Sequence, residues 1–352
     1  MKVLFIGNDK SILTGENGDA RERMKEYAKH FDKLSIVVFS LKKDNLKNLL
    51  EKNLEVYPTH SSSRWFFLFD AMVIIKNLKV DLISTQDPFI AGFVGVIAKL
   101  LWGTKLNIQL HNDFFDNPYF RSETPQNYIF YWLGKLNLLF ADSVRVVNHR
   151  MIKDRRYFTA PVATDLKFFW SMPHKKIFNQ VVTVSRLAKQ KNLPLFFALA
   201  KEFPDKKFVV VGEGEERANL EKIKPANVSL VGQKTREEVR KIFSESDIFV
   251  LTSNYEGWGL SVVEALAAGL PVVMTDTGCA GEVVTNKVGG FVTDLGDKTD
   301  LVEGVRRLYA DRVLRKKLIV SGQDALFRNY SREKIMGQFI FGLKQTAKLI
   351  DK

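Results

Sequence analysis

The stretch LTSNYEGWGLSVVEALAAGLPVVMT, Leu251–Thr275, places two short apolar runs on either side of a helical pattern. The first run ends near Thr252, and its periodicity predicts a strand. A polar, glycine-rich loop follows, and the spacing then predicts a helix over Ser261–Ala268 that Gly269 and Pro271 end. The second run, Val272–Thr275, predicts another strand. A strand, a helix and a strand in direct succession predict one crossover of a parallel sheet.

The same alternation extends in both directions along the chain. Further predicted strands are Lys2–Gly7, Leu34–Phe39, Asp81–Thr85, Lys105–Leu110, Ser143–Val147, Val181–Ser185, Lys207–Val211, Val228–Val231 and Ile248–Thr252. Helical patterns such as Asp19–Phe31 separate them. The sequence therefore predicts an α/β protein with two doubly wound, Rossmann-like domains.

The predicted domains meet in a stretch without periodicity, residues 159–179, which contains two prolines. We expect an N-terminal domain over residues 1–165 and a C-terminal domain over residues 166–330. Residues 331–352 contain a predicted helix, Ser331–Ile350, that has no strand after it. We expect this helix to pack back on the N-terminal domain.

Composition narrows the class of protein. The chain has 352 residues, of which 45% are hydrophobic and 26% charged, as in packed globular proteins. Its single cysteine, Cys279, fits a reducing compartment. The polar residues that follow MKVLFI argue against a signal peptide, and Phe89–Gly103 is shorter than the roughly 20 residues of a spanning helix. We therefore expect a soluble, cytoplasmic protein.

The net charge of +13 indicates an anionic partner. Nucleic acid, an anionic membrane leaflet and phosphorylated small molecules all satisfy this charge, and so does a solvated basic surface without a specific partner. Composition alone leaves these alternatives open.

The loop Glu256–Leu260 contains the chemistry that discriminates best among them. Gly257 and Gly259 at a helix start let backbone N–H groups approach an anion such as a phosphate. Glu256 in this loop and Glu264 on the helix provide carboxylates suited to sugar hydroxyls. A surface glutamate followed by an ordinary helix glutamate is the structural alternative.

Three segments together resemble the retaining glycosyltransferases of family 4. EGWGLSVVEALAAGLPVV, residues 256–273, resembles the family's E-x7-E signature, and VTVSRLAKQKN, residues 182–192, resembles its R-L-x-x-x-K-G element with Asn192 in place of glycine. FVVVGEGEE, residues 208–216, resembles its strand ending in G-x-G. The resemblance is specific from about Val181 to Val292.

This resemblance implies a GT-B fold and a metal-independent, retaining transferase that needs no cofactor besides its nucleotide-diphospho-sugar co-substrate. It implies that Arg186 and Lys191 neutralise the leaving diphosphate, which is suited to cations. It places Glu256 on a donor-sugar hydroxyl. The further donor-binding residues that it implies are Gly257, Trp258, Gly259, Leu260, Glu264, Gly212, Gly232 and Gln233. In contrast, Thr235 and Glu238 are predicted to form a capping box at a helix start, and this structural role explains both residues without a role in donor binding.

The N-terminal half resembles the family less closely. Gly15 and Gly18 follow the first strand and resemble a glycine loop near the acceptor and the donor phosphate. His111, at the end of a strand, resembles a histidine placed over the donor sugar, although a histidine at a strand end is also an ordinary structural feature. The resemblance implies a glycan or lipid-linked acceptor and no nucleic acid.

Two segments suggest peripheral contact with an anionic membrane. Residues 64–79, RWFFLFDAMVIIKNLK, are apolar with basic ends, which is typical of an interfacial helix and equally of a helix buried against a parallel sheet. Residues 148–157 add a basic cluster. We therefore expect a cytoplasmic protein at the inner face of the cell membrane.

Two other functions compete with the transferase. A sugar-nucleotide epimerase with the same architecture would need no acceptor, and a polyanion-binding protein would need no nucleotide-sugar. A dinucleotide-binding enzyme is disfavoured, because Arg217 occupies the third glycine position after Gly212 and Gly214 and the acidic neighbours would repel a pyrophosphate.

Overall fold

A computed structural model describes residues 1–15, 18–170 and 179–348 of the chain. The chain divides into two compact units, Met1–Pro161 with Ile335–Lys352, and Val162–Lys334. Residues 16–17 of the glycine loop, residues 171–178 of the predicted connection and the predicted helix end at Ile350 lie outside the described residues.

The first unit contains a sheet whose described strands run in the order β3-β4-β2-β1-β5-β6-β7-β8. All neighbours pair in parallel except β3 and β4. The strands are β1 Lys2–Gly7, β2 Lys33–Val38, β3 Leu49–Leu50, β4 Leu54–Pro58, β5 Leu82–Thr85, β6 Lys105–Leu110, β7 Ser143–Val146 and β8 Tyr157–Thr159. The helices before the second unit are α1 Ser11–Thr14, α2 Gly18–Ala28, α3 Phe67–Lys76, α4 Ile90–Trp102, α5 Pro118–Glu123 and α6 Pro125–Leu139.

The second unit contains a parallel sheet in the order β11-β10-β9-β12-β13-β14 over its described strands. Numbered within the unit, this is 3-2-1-4-5-6, the order of the Rossmann fold. The strands are β9 Gln180–Val184, β10 Lys207–Val211, β11 Val228–Leu230, β12 Ile248–Leu251, β13 Val272–Thr275 and β14 Gly290–Thr293. The helices are α7 Leu166–Phe169, α8 Leu193–Lys201, α9 Arg217–Ile223, α10 Arg236–Ser244, α11 Leu260–Ala267, α12 Lys298–Ala310, α13 Arg312–Asn329 and α14 Arg332–Lys348, which continues into the first unit.

The predicted α/β fold with two doubly wound sheets is confirmed. Helices cover both faces of a parallel sheet, so its central strands are largely buried, and every residue of β12 is both apolar and buried. Thr235 and Glu238 form the predicted capping box at the start of α10. Sequence reasoning missed four short strands, β3, β4, β8 and β14. All four lie at or next to a sheet edge, where the apolar runs are short or broken.

Helix α14 contributes to the core of the first unit. The Phe339 ring lies 6.0 Å from that of Phe5 and 5.2 Å from that of Tyr27, measured between centroids. At its far end, Thr346 Oγ1 lies 2.6 Å from Ser143 Oγ. These contacts show that the helix packs on the first unit.

Residues 64–76 form a short 3₁₀ turn, Arg64–Phe66, followed by α3. Ala71 and Ile75 on α3 are buried, whereas Trp65, Phe69 and Val73 are exposed. The segment thus combines the two interpretations that its sequence allows, a helix packed on a sheet and an apolar outer face. None of the described helices combines the length and the apolar character needed to cross a membrane.

Candidate functional site

The carboxyl ends of β9 and β12 are neighbours in the second unit. These strands pair in parallel through Val182 and Phe249, and the strand order reverses between them. Loops at such a reversal bind ligands in open α/β sheets. The loop after β9 contains Arg186 and Lys191, and the loop after β12 contains Glu256, so the fold brings the predicted catalytic residues of this unit to one edge of one sheet.

Lys191 and Glu256 form an ion pair at this edge. Lys191 Nζ lies 2.5 Å from Glu256 Oε1, and the two side chains are only 14% and 10% exposed. Ser253 Oγ donates a second hydrogen bond, of 2.8 Å, to the same oxygen. Both partners of the pair are therefore held in place by contacts that a ligand does not have to provide.

Backbone contacts hold the two loops together. The Asn254 N–H donates to the Gln190 carbonyl at 2.7 Å, and Thr252 Oγ1 donates to the Lys191 carbonyl at 3.0 Å. Asn192 adopts a left-handed conformation with φ of 45°. Asparagine tolerates this conformation better than other residues with a side chain, which explains how Asn192 replaces the glycine of the family pattern. Its Nδ2 also donates to Asn254 Oδ1 at 3.1 Å.

Arg186 and Ser185 place two polar side chains just after the end of β9. Arg186 is exposed, and within the described part of the chain its guanidinium forms no ion pair. Ser185 Oγ is buried and has no hydrogen-bond partner among the same residues. A buried hydroxyl without a partner is costly, whereas the exposed guanidinium of Arg186 is available to a ligand.

The Gly257–Leu260 segment leads from this edge into α11. Gly259 adopts φ of 85° and forms the N-cap of α11, whose first N–H groups have no helical partner. Leu260 is exposed and Gly257 is buried. Trp258 is buried and packs on Tyr330, with ring centroids 5.1 Å apart. Trp258 thus supports the loop from inside, while the helix start provides the donors.

Four further predicted donor-binding residues, Glu264, Gly212, Gly232 and Gln233, also lie in the second unit. Glu264 lies one turn into α11 and is partly buried. Gly212 follows β10 with φ of 137°, and a Cβ there would lie 1.9 Å from the Ser185 carbonyl oxygen. The Gly212 N–H donates to the Gly232 carbonyl at 2.9 Å. Gln233 is exposed beside Gly232. Close packing against Ser185 therefore requires a glycine at position 212, and this structural requirement explains the residue even if Gly212 does not contact a ligand.

The N-terminal candidates lie in the first unit. Gly15 ends α1 with φ of 75°, and Gly18 begins α2. His111 follows β6 and is partly buried. Burial, reinforced by the positive charges of Arg145 and Arg23, lowers the pKa of His111 to about 3. The imidazole is therefore neutral near pH 7 and can donate or accept a hydrogen bond without carrying charge.

Sequence reasoning missed two side chains at the strand ends, Ser185 and Ser253. The signal that could have identified them is their position in the chain: Ser185 directly precedes Arg186, and Ser253 lies three residues before Glu256. This signal is not specific, because serine is common in loops.

The second unit contains the residues that match a known protein family. Residues 166–324 match the family model of glycosyl transferases group 1. Over 142 residues the chain is 33% identical to the UDP-Gal:alpha-D-GlcNAc-diphosphoundecaprenol alpha-1,3-galactosyltransferase of Escherichia coli, an alignment that covers 37% of this chain and 36% of the relative. The chain spans about a third to a half of the length of the first curated relatives that it matches.

Solved structures match over nearly the whole chain. The sucrose-phosphate synthase of Thermosynechococcus elongatus superposes with a TM-score of 0.83 at 18% identity, covering 98% of each chain. Anabaena HepE in complex with UDP and glucose superposes with a TM-score of 0.75 at 18% identity, covering 98% of this chain and 100% of that one. The fold is therefore that of the GT-B glycosyltransferases, as the sequence predicts.

Proposed function

We propose that this protein is a retaining, metal-independent glycosyltransferase that moves a sugar from a nucleotide-diphospho-sugar to a glycan or lipid-linked acceptor. The observation that carries the proposal is the cluster at the carboxyl ends of β9 and β12, where the Lys191–Glu256 ion pair lies in the loops that also present Arg186. Two cations beside one carboxylate match the chemistry of a ligand that joins a diphosphate to a sugar.

The leaving diphosphate determines the role of the cations. When the bond between the sugar C1 and the phosphate oxygen breaks, the electron pair stays on that oxygen and negative charge develops there. Arg186 can contact two phosphate oxygens at once, whereas Lys191 acts as a point charge. Both favour departure of the diphosphate, because charge that develops in the transition state is stabilised by fixed cations.

Glu256 orients Lys191 and retains a second carboxylate oxygen for a donor-sugar hydroxyl. The acceptor oxygen then bonds to C1 on the face that the diphosphate leaves, and the acceptor proton passes to the departing phosphate oxygen. This route retains the configuration at C1 and requires no base from the protein. The start of α11 at Gly259 adds N–H donors for the phosphate or the sugar.

UDP is the nucleotide that we propose for the donor. The E. coli relative is named for UDP-Gal, and the HepE structure contains UDP and glucose. The lipid-linked acceptor in the name of the E. coli relative also supports an acceptor at a membrane surface. The exposed Trp65 before α3 and the exposed Phe69 and Val73 on α3 support peripheral membrane contact.

A binding panel followed by product analysis tests this function. We expect UDP-sugars to raise the melting temperature of the protein and GDP-, ADP- and dTDP-sugars to leave it unchanged. With an acceptor and in the presence of EDTA, we expect a product whose anomeric configuration, read by NMR, equals that of the donor. A converted nucleotide-sugar without acceptor would instead indicate an epimerase, and an inverted product would refute the retaining mechanism.

Glu256→Gln tests the site within this assay. The substitution keeps the size of the side chain and removes its charge. We expect kcat/KM to fall by roughly 100-fold or more, as for the loss of a group that acts in the transition state. Glu245→Gln, at an exposed glutamate that ends α10, is the matched control. Turnover near that of the unmodified protein in Glu256→Gln would contradict the proposed role.

A further inference from the structure

A cavity of about 580 Å³ lies in the first unit beside the end of β6. Its walls are the end of β6 at Leu110, the loop after it at residues 113–116, one face of α6 at residues 132–139, and residues 151–157. Leu110 and Asp113 flank His111 in the chain. The cavity therefore opens beside the loop that contains His111, the histidine that the family resemblance places over the donor sugar.

The lining of the cavity is mainly apolar. Nine of its fourteen residues have apolar or aromatic side chains, among them Phe115, Trp132 and Leu136. Part of this wall is uncovered, since Leu139 is 72% exposed and Trp132 and Leu136 are about half exposed. Its volume falls in the range of small-molecule sites. A cavity with such walls favours a hydrocarbon over a sugar or a nucleotide.

One lining cation is available to an anion. Lys135 Nζ lies over the Tyr131 and Trp132 rings, 4.7 and 5.7 Å from their centroids, and forms no ion pair within the described residues. The other two lining cations already have carboxylate partners, Lys153 with Asp116 and Arg156 with Asp154. Lys135 thus places one positive charge against an apolar cavity.

The apolar wall continues outward along α6. Tyr128 and Ile129, one turn before Trp132, are exposed, and Phe140 follows Leu139 at the end of the helix. An elongated apolar molecule can therefore lie along the exposed face of α6 and enter the cavity, with its polar end toward Lys135 and the loop at His111.

We propose that this cavity binds the hydrocarbon chain of an anionic amphiphile, with Lys135 contacting the phosphate at the head of the chain. The proposal rests on the proposed transferase function in that it specifies the acceptor class, a lipid-linked phosphate. Its physical basis is the combination of an apolar wall, a cation that has no carboxylate partner among the described residues and the position next to the His111 loop. Burial of each methylene stabilises the complex until the cavity is filled.

Calorimetric titration of the full chain with alkyl phosphates tests chain binding directly. The probes are inorganic phosphate, butyl phosphate and decyl phosphate, each kept below its micelle concentration. We expect one decyl phosphate per protein and an affinity that rises from butyl to decyl by up to about fourfold for each fully buried methylene. We expect no binding of inorganic phosphate at the same concentrations. Equal affinity for all three probes, or uptake of many decyl phosphates per protein, would overturn the proposal.

Substitutions at the wall test the location. Leu136→Asp and Leu139→Asp place a carboxylate on the exposed wall, and we expect each to weaken decyl phosphate binding at least tenfold. Phe69→Asp, at an exposed apolar residue on α3 that does not line the cavity, is the matched control and should leave the affinity unchanged. An equal loss in Phe69→Asp would indicate adsorption to apolar surface and would overturn the cavity as the site.

Lys135→Gln tests the head-group contact. We expect it to weaken decyl phosphate binding severalfold while leaving the binding of uncharged decanol unchanged. A loss of the same size for both probes would contradict a phosphate contact at Lys135. Because the second unit is unaltered, the melting-temperature shift with UDP-sugar should persist in every variant. Chain binding and donor binding can therefore fail independently.

Discussion

Individual side chains determine the charge of the candidate site in the second unit. The Lys191–Glu256 pair is nearly neutral as a unit, so the positive charge that attracts a diphosphate comes mainly from Arg186, which is exposed. A bound phosphate would compete with Glu256 for Lys191. The second oxygen of Glu256 then stays available for a sugar hydroxyl. In this way Glu256 contacts both Lys191, which binds the diphosphate of the donor, and the donor sugar.

His111 gives a prediction about pH. Its folded-state pKa of about 3 lies below the value of about 6.5 for an unfolded histidine. Between these values the unfolded chain binds a proton that the folded chain does not, so stability contributed by His111 is present above pH 6.5 and declines as the pH falls toward 3. From pH 7 to pH 5 we expect this loss to reach about 2 kcal/mol.

Urea unfolding of the unmodified chain and of His111→Gln measures this effect. The variant cannot bind the proton, so the difference in free energy of unfolding between the two proteins should shrink or reverse by up to about 2 kcal/mol from pH 7 to pH 5. A difference that stays constant over this range would show that the imidazole is accessible and titrates normally.

The loops after the strands depend on close backbone packing between neighbouring strands. The end of β10 lies against the end of β9 so closely that a Cβ on Gly212 would be 1.9 Å from the Ser185 carbonyl oxygen. Gly214 is similarly placed, 2.3 Å from the Leu187 carbonyl oxygen. These glycines fix the backbone that presents Arg186.

Gly212→Ala should therefore be strongly destabilising. The added methyl group must displace the β9 loop, and φ of 137° is unfavourable for alanine. We expect a loss of roughly 3 kcal/mol or more in the free energy of unfolding. Gly296→Ala is the control, since its φ of 77° is also positive but an added Cβ would have no atom of the described residues within 4 Å. It should cost only about 1 kcal/mol, and similar losses in both variants would refute the packing argument.

Local patterns were enough to predict the central strands. The runs at β1, β6, β10 and β13 begin and end at the predicted residues. Strand β4, next to the sheet edge, was missed because Glu55, Tyr57 and Pro58 interrupt its apolar run, and β14 because it begins with a glycine.

The contact between Lys191 and Glu256 could not be derived from local pattern. These residues lie far apart in the chain and meet only because β9 and β12 are adjacent. The cavity beside β6 was also beyond prediction, because its walls come from three separate segments. Pairings between distant segments depend on the sheet order, which local periodicity does not encode.

The last helix, α14, packs on the first strand, β1. The Phe339 ring packs on Phe5 and Tyr27, and the Arg145 guanidinium lies 4.3 Å from the centroid of the same ring. Arg145 is buried and donates to the Ala160 and Pro161 carbonyls, both at the end of the first unit's continuous segment. The last helix thus stabilises residues at both sequence ends of that unit.

Phe339→Ala tests this dependence. Loss of a fully buried ring should lower the free energy of unfolding by about 3–5 kcal/mol. Phe341→Ala, at a ring on the same helix that is 64% exposed, should change stability by less than about 1 kcal/mol. We expect neither variant to alter UDP affinity while folded, because Arg186 and Lys191 belong to the second unit. A small loss in Phe339→Ala would contradict the structural role of the helix.

The most direct test of the donor site is the affinity for UDP, measured by calorimetry in three variants of the β9 loop. Arg186→Ala and Lys191→Ala each remove a charge-assisted contact to the diphosphate, so we predict that each weakens UDP binding by roughly 10- to 100-fold. Lys189→Ala removes an exposed cation from the same loop and should change affinity less than about twofold. Equal affinity in all three variants would contradict a diphosphate site at the carboxyl ends of β9 and β12.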